Sequence, residues 1–489
     1  MAWLRRHRAA LFFPALILFG LLLLAGVLLA IFLPGGGKHA APTTSTTPPA
    51  TTAPVTTTQP PVTTAPPPTT PAPPPTTTAP PPPPPPPAGP LRAVAVGPFS
   101  ATVEWTKASP PAVVAYGVPQ LGPTMWAPLV GRRATLNGLR FSTGYRVWAG
   151  DAALDVTTAP APASPYAAIG GGVMLLDNQP FFPLLVLAQC PSGYASSLAA
   201  GITLYAENAC GGIAEQSAAL ADRALSLTKA DEAGIGGPGV IGWYYPDEAD
   251  LKGITGATLP AFPSPTATGR LRVLTLTNHF YSRTALLPAG RGVYPGLIAK
   301  SDMIGFDLYP LQEFCDVAWL PDVAASQREL VRLARGRPTF QWIEVSTWKC
   351  HAPALTVTPA TVRAESWLSV AGGARGIGFF PADWPAEITP GVAGVAAEVT
   401  ALGAALVAPD APVSASAPVV AAARSVNGAL YVFAINPTRK AARATITAPG
   451  LAGRSSVVLG EHRSVAAGGD SFEDAFAPLA VHLYVAAPH

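Results

Sequence analysis

Val240-Ile241-Gly242-Trp243-Tyr244-Tyr245-Pro246-Asp247-Glu248 is a short apolar run that ends on two acids, and Phe340-Gln341-Trp342-Ile343-Glu344, later in the chain, has the same form. Runs that are apolar at nearly every position belong to parallel strands covered on both faces. A carboxylate placed where a buried strand emerges loses water, which costs free energy. That cost is expected where two carboxylates must face one substrate.

Working outward, further runs repeat the pattern. Pro183-Leu184-Leu185-Val186-Leu187-Ala188 reads as a first strand, Gly201-Ile202-Thr203-Leu204-Tyr205 as a second and Ala224-Leu225-Ser226-Leu227-Thr228 as a third. Val240 to Tyr244 is the fourth. Leu271-Arg272-Val273-Leu274-Thr275-Leu276 leads to Asn278 and His279, and Met303-Ile304-Gly305-Phe306-Asp307 leads to Tyr309. Thr339 to Ile343 is the seventh, and Gly376-Ile377-Gly378-Phe379-Phe380 leads to Trp384. Helical stretches lie between the runs; Thr358 to Val370 is one, with Pro359 in its first turn. Residues 165–409 are long enough for one (β/α)8 TIM barrel, and polar and aromatic residues collect after the strands, on the face where such barrels build sites.

The flanks read differently. Arg5, Arg6, His7 and Arg8 precede an apolar stretch from Ala9 to Leu33, the length of a membrane-spanning helix. Residues 1–40 are therefore expected to be a cytoplasmic basic flank and transmembrane signal anchor, with everything after them extracytoplasmic. The alternative is a cleaved signal peptide and a secreted chain; the apolar run is long for that and His39-Ala40-Ala41 is a poor cleavage site. Residues 41–89 are almost all Pro, Thr and Ala, a disordered stalk able to reach on the order of 150 Å at about 3.1 Å per residue. Residues 90–160 alternate with period two, as in Ala101-Thr102-Val103-Glu104-Trp105-Thr106 and Tyr145-Arg146-Val147-Trp148. Residues 410–489 return to that pattern, with Ala429 to Asn436 and Ala480 to Val485, and predict a C-terminal β-sandwich packed on the barrel.

Composition excludes several functions. A net charge of +3 with 12% charged residues gives no basic field for nucleic acid. The 7 His and 4 Cys fall in no metal-ligand spacing, so no metal is expected. Gly170-Gly171-Gly172 and Gly236-Gly237 lack the context of a phosphate loop, and no cofactor is expected. The cysteines fit an oxidising exterior. Four allow three connectivities; Cys190 with Cys210 and Cys315 with Cys350 would join loops that follow neighbouring strands.

At this point the chain resembles the clan A glycoside hydrolases, retaining enzymes on a (β/α)8 barrel. Gly242 to Glu248 looks like their strand-four motif, and Trp342-Ile343-Glu344 like their strand-seven motif. Asp177-Asn178-Gln179-Pro180-Phe181-Phe182-Pro183 is similar to the hairpin before their first strand, and Gly372 to Phe380 to their approach to strand eight. The resemblance implies glycosidic bond cleavage with Glu248 as acid/base and Glu344 as nucleophile. It implies a carbohydrate partner, with Tyr309 bonded to the nucleophile and Trp384 flooring the sugar site. Asp247 stands where the clan has an Asn that contacts the sugar. Asp247, Asn278, His279, Asp307, Trp342 and Tyr205 complete the expected substrate-binding set, and Trp348 is a further candidate for sugar stacking. Ala134 to Leu139 with Thr143-Gly144-Tyr145 resembles the fibronectin type III pattern, in a segment short enough to lack one strand. The rival reading is a surface carbohydrate-binding or adhesion protein on a degenerate barrel.

Among carboxyls, the apolar setting of Glu248 and its neighbour Asp247 should raise its pKa. Glu344 should stay ionised if Tyr309 or Asn278 donates to it.

Overall fold

The computed structural model describes residues 89–234, 236–381 and 384–488. The expected anchor over 1–40 and stalk over 41–89 lie outside the described residues, Gly89 excepted. Among the described residues, no helix is long and apolar enough to cross a membrane.

Eight parallel strands form the centre: β1 (Leu184–Gln189), β2 (Leu204–Asn208), β3 (Leu225–Lys229), β4 (Val240–Tyr244), β5 (Leu271–Leu276), β6 (Met303–Phe306), β7 (Gln341–Glu344) and β8 (Ile377–Phe380). The sheet closes between β6 and β7 through the parallel pairs Ile304–Thr339 and Asp307–Trp342. Side-chain alternation divides the strands. Leu185, Leu187, Leu204, Leu225, Leu227, Ile241 and Trp342 share the interior cluster. Leu184, Val186, Tyr205, Leu274, Ile304 and Ile343 belong to the layer under the helices. Two glycines admit the bulky interior rings: a Cβ on Gly378 would lie 2.3 Å from the Trp342 ring, and one on Gly305 would lie 2.2 Å from Phe340.

The second strand begins later than the sequence predicts. Gly201 has a left-handed φ of 87° and donates to Leu198 O, so it ends the helix α1 (Pro191–Ala199) instead of opening β2. Longer helices follow, α2 (Leu320–Ala334), α3 (Pro359–Ala371) and α4 (Thr389–Ala401). The expected start of α3 is present: Thr358 caps it, exchanging side-chain and backbone bonds with Thr361, and Pro359 occupies its first turn. Among its described residues, the β3–β4 connection carries a single 3-10 turn, Ala230–Glu232, in place of a covering helix.

The N-terminal piece is a sandwich of seven strands, so none is lost to its short length. Leu91–Val96, Ala101–Trp105 and Arg133–Leu136 form one sheet; Met125–Pro128, Val113–Gly117, Gly144–Ala149 and Ala152–Thr157 form the other. The buried Tyr145 hydroxyl accepts from the Arg140 backbone N–H at 2.9 Å. The sandwich is not merely strung beside the barrel. Its Phe99 and Phe141 meet Phe181, from the small antiparallel sheet before β1, at 5.4 and 6.1 Å between ring centroids. These rings join Met174 and Leu176 in sealing one end of the barrel interior. The C-terminal sandwich, whose sheets have six and three strands, covers another part of the barrel. It rests on α3 through Trp367 and Phe433, 5.1 Å apart, and touches the N-terminal sandwich where Tyr431 donates to Thr124 O.

Replacing Tyr145 by Phe would leave the Arg140 N–H unpaired in a buried corner. Chemical denaturation is expected to show a loss of about 1–3 kcal/mol.

Candidate active site

Five carboxyls converge at the C-terminal end of the barrel. Glu207 comes from β2, Asp247 and Glu248 from the turn after β4, and Asp307 and Glu313 from the segment after β6. Burial is the first cause raising each of their pKa values. Mutual repulsion adds to it: Asp247 acts on Glu207, Glu248 and Asp307, and Glu313 acts on Glu248 and Asp307. Asp307 is pushed furthest, well above the usual range. Beside Asp247 lies a cavity of about 550 Å³ lined by Glu207, Lys229, Asp231, Tyr244 and Lys252.

Hydroxyl and amide donors oppose the rise in pKa at some of these carboxyls. The Trp342 indole N–H donates to Thr275 Oγ1 at 2.9 Å, which lies 2.6 Å from the Tyr244 hydroxyl; Tyr244 in turn donates to Asp247 Oδ1 at 2.9 Å. The chain of donors runs one way, because the indole can only donate and the carboxylate only accept. Tyr309 donates to Asp307. Asn278 places its amide on both oxygens of Glu313, at 2.9 and 3.0 Å, and Lys349 adds positive charge near it. Glu313 thus has the fullest set of groups favouring its charged form.

Glu344 sits differently. It is fully buried, and its two oxygens accept the Leu311 and Gln312 backbone N–H groups at 2.8 Å each. Its close neighbour is Glu365 of α3, whose own oxygens receive no donor from another kind of side chain or from the backbone. Two carboxyls buried together cannot both be ionised, so the pair holds a proton between them. Neither Tyr309 nor Asn278 donates to Glu344, contrary to expectation: those donors serve Asp307 and Glu313.

The expected aromatic platforms are only partly at the mouth. Trp342 is 0% exposed and fills the barrel interior, so it cannot stack on a sugar. Tyr205 faces outward, fully buried against α1 with its hydroxyl 2.6 Å from Ser197 Oγ, because alternation along β2 turns it away from the interior. Trp384 gives its indole N–H to Thr389 Oγ1 at 2.9 Å and packs on the layer beneath the helices. Trp348 is the ring beside the carboxyls, edge-on to Tyr309 at 5.3 Å. His279 is tied back to Ala285 O at 2.9 Å.

Both disulfides frame this end, Cys190–Cys210 with Cα atoms 4.9 Å apart and Cys315–Cys350 with 5.7 Å. Left-handed non-glycine residues gather here too: Ala188, Glu207, Glu248 and Cys315 have φ between 48° and 58°. Such backbone costs on the order of 1–3 kcal/mol per residue and persists where surrounding structure imposes it. Glu207 and Glu313 escaped the sequence reading. For Glu313 a signal existed, two positions before Cys315 in Leu311-Gln312-Glu313-Phe314-Cys315. For Glu207 it did not, since its φ of 58° is not written in its neighbours. Among the described residues, no group of His, Cys, Asp and Glu is arranged to hold a metal ion.

No protein-family model matches the chain, and no curated protein matches its sequence. Similar solved structures include a GH30 endoxylanase from Clostridium papyrosolvens C71, 12% identical over 62% of this chain and 96% of that one, with a TM-score of 0.41. An Anoxybacillus alpha-amylase is 9% identical over 61% and 90%, with a TM-score of 0.36. A beta-D-glucuronidase from Dictyoglomus thermophilum is 10% identical over 63% and 68%, with a TM-score of 0.35.

Two measurements check this geometry. Folding raises Glu344 and Glu365, so above the ordinary carboxylate value of 4.5 the folded chain holds more protons than the unfolded one. Their contribution to stability is full below that range and declines as pH rises toward the folded-state values. Glu365→Gln is expected to flatten the fall of melting temperature from about pH 5 to pH 8; an unchanged slope would mean that the pair shares no proton. Cys315→Ser with Cys350→Ser is expected to lose about 3–4 kcal/mol by loop entropy, measured by denaturant titration.

Proposed function

We propose that the chain is a glycoside hydrolase whose reaction takes place at the carboxyl cluster, with retention of anomeric configuration. The observation that carries this reading is the set of five carboxyls at the strand ends of a closed parallel barrel, all raised by burial and three of them, Glu207, Glu248 and Asp307, raised also by their neighbours. Glycosidic cleavage needs one protonated and one ionised carboxyl. Glu248 is half-buried and raised by burial and by Asp247, which suits a proton donor to the leaving oxygen. Glu313 suits the ionised partner, because Asn278 donates to both its oxygens and the Lys349 ammonium lies near it. In this assignment Glu313 attacks the anomeric carbon as Glu248 protonates the leaving oxygen; Glu248 then takes a proton from the water that releases the sugar. Glu344, with both oxygens on loop amides, holds the segment carrying Tyr309 and Glu313. Asp247 and Tyr244 line the cavity as sugar contacts, with Trp348 beside the cluster. The disulfides fit an oxidising compartment, which supports folded domains outside the cytoplasm behind the proposed N-terminal anchor. The seven-strand topology and the Tyr145–Arg140 bond support a fibronectin type III-like module.

The test is a panel of aryl glycosides and polysaccharides with three variants. Glu313→Gln is expected to lose turnover on every substrate. Glu248→Gln should lose about 10²–10⁴ in rate where the leaving group needs a proton, and far less on activated aryl glycosides. Glu344→Gln should keep most turnover. If Glu344→Gln is inactive while Glu313→Gln turns over normally, the nucleophile is Glu344. An inverted first-formed anomer would remove retention, and glycan binding without turnover would leave a carbohydrate-binding barrel.

A further inference from the structure

The other end of the barrel is basic. Helices run back along the barrel, so Arg328 and Arg332, late in α2, and Gly372 and Gly373, just before β8, lie away from the carboxyl cluster. They face Asp410 and Arg424 of the C-terminal sandwich across a cavity of about 460 Å³. Arg375 adjoins it through Asp410.

The charges there do not balance. Arg424 and Arg375 both bond Asp410, at 2.7 and 3.0 Å, so one carboxylate serves two guanidiniums. Arg375 also spends Nη1 on the Leu406 and Ala408 carbonyls. Arg328 donates to the Ala371 carbonyl, and Arg332 lies one helical turn beyond it, a like-charged spacing that is unfavourable unless something neutralises it. Arg424 is the sharpest anomaly. Its side chain is 2% exposed, yet its Nε and Nη2 have no acceptor. A buried guanidinium with unpaired N–H groups is costly, and Arg375 beside it adds repulsion.

We propose that this cavity is a binding site for a tetrahedral oxyanion, a phosphate or sulfate group, clasped between the barrel and the C-terminal sandwich. Guanidinium groups present planar pairs of N–H donors that match such oxygens. Four arginines against one aspartate leave a surplus that a doubly charged anion offsets. The site is separate from the carboxyl cluster, and it stands whether or not the glycosidase reading does. The group arrives either as a free ion or as a substituent on a charged polymer, and both sources have the same chemistry.

The full chain, kept soluble in a nonionic detergent, is titrated with inorganic phosphate and with sulfate at constant ionic strength, using chloride as the control. Saturable heat with phosphate or sulfate but not chloride is expected. Arg328→Gln with Arg332→Gln, both on the helix surface, should weaken binding at least tenfold without changing the circular dichroism spectrum. Heparin, as a sulfated polymer, bound tenfold tighter and displaced by phosphate would point to a polymer-borne group; heparin bound no tighter than sulfate would point to the free ion. Absence of saturable binding, or equal binding by the double variant, overturns the proposal.

Discussion

Everything at the working end of this barrel follows from one constraint: carboxyls that repel one another are held together where water is scarce. Burial raises Glu207, Glu248 and Asp307, and the charge of Asp247 raises all three further. Such a cluster survives only if some members keep protons and others receive donors. The Trp342–Thr275–Tyr244 chain ends on Asp247, Tyr309 serves Asp307, and Asn278 serves Glu313. Different pKa values within one small space are the condition for acid and base chemistry on the same substrate.

The rest of the molecule holds that arrangement rigid. Three phenylalanines from two modules plug the far end of the interior. The two disulfides tie neighbouring loops at the near end. The terminal sandwiches touch each other as well as the barrel, through Tyr431 and Thr124. A seam between the C-terminal sandwich and the barrel collects Arg328, Arg332, Arg375 and Arg424.

Much of this was legible from the residues. Apolar runs of strand length, each followed by polar or aromatic residues, gave all eight strands in order, because strands covered on both faces leave a continuous apolar record. Thr358-Pro359 marked a helix start, since a cap and a first-turn proline act locally. The start of β2 was misplaced because Gly201 ends a helix as readily as it opens a strand. Glu344 drew attention as an acid after a strand, yet its neighbours Leu311, Gln312 and Glu365 lie in segments distant along the chain.

By itself the sequence determined the barrel, the order of its strands and the two glutamate-bearing turns, because periodicity and local capping are properties of adjacent residues. The tertiary structure decided which acids meet. Strand alternation sends Trp342 inward and Tyr205 outward, and closure between β6 and β7 brings Glu344 under the Leu311 and Gln312 amides. Burial there, with the fields of Asp247 and Glu313, then raises the pKa values of their neighbours. Those are contacts between segments far apart in the chain, and no local pattern encodes their distances or their shared protons.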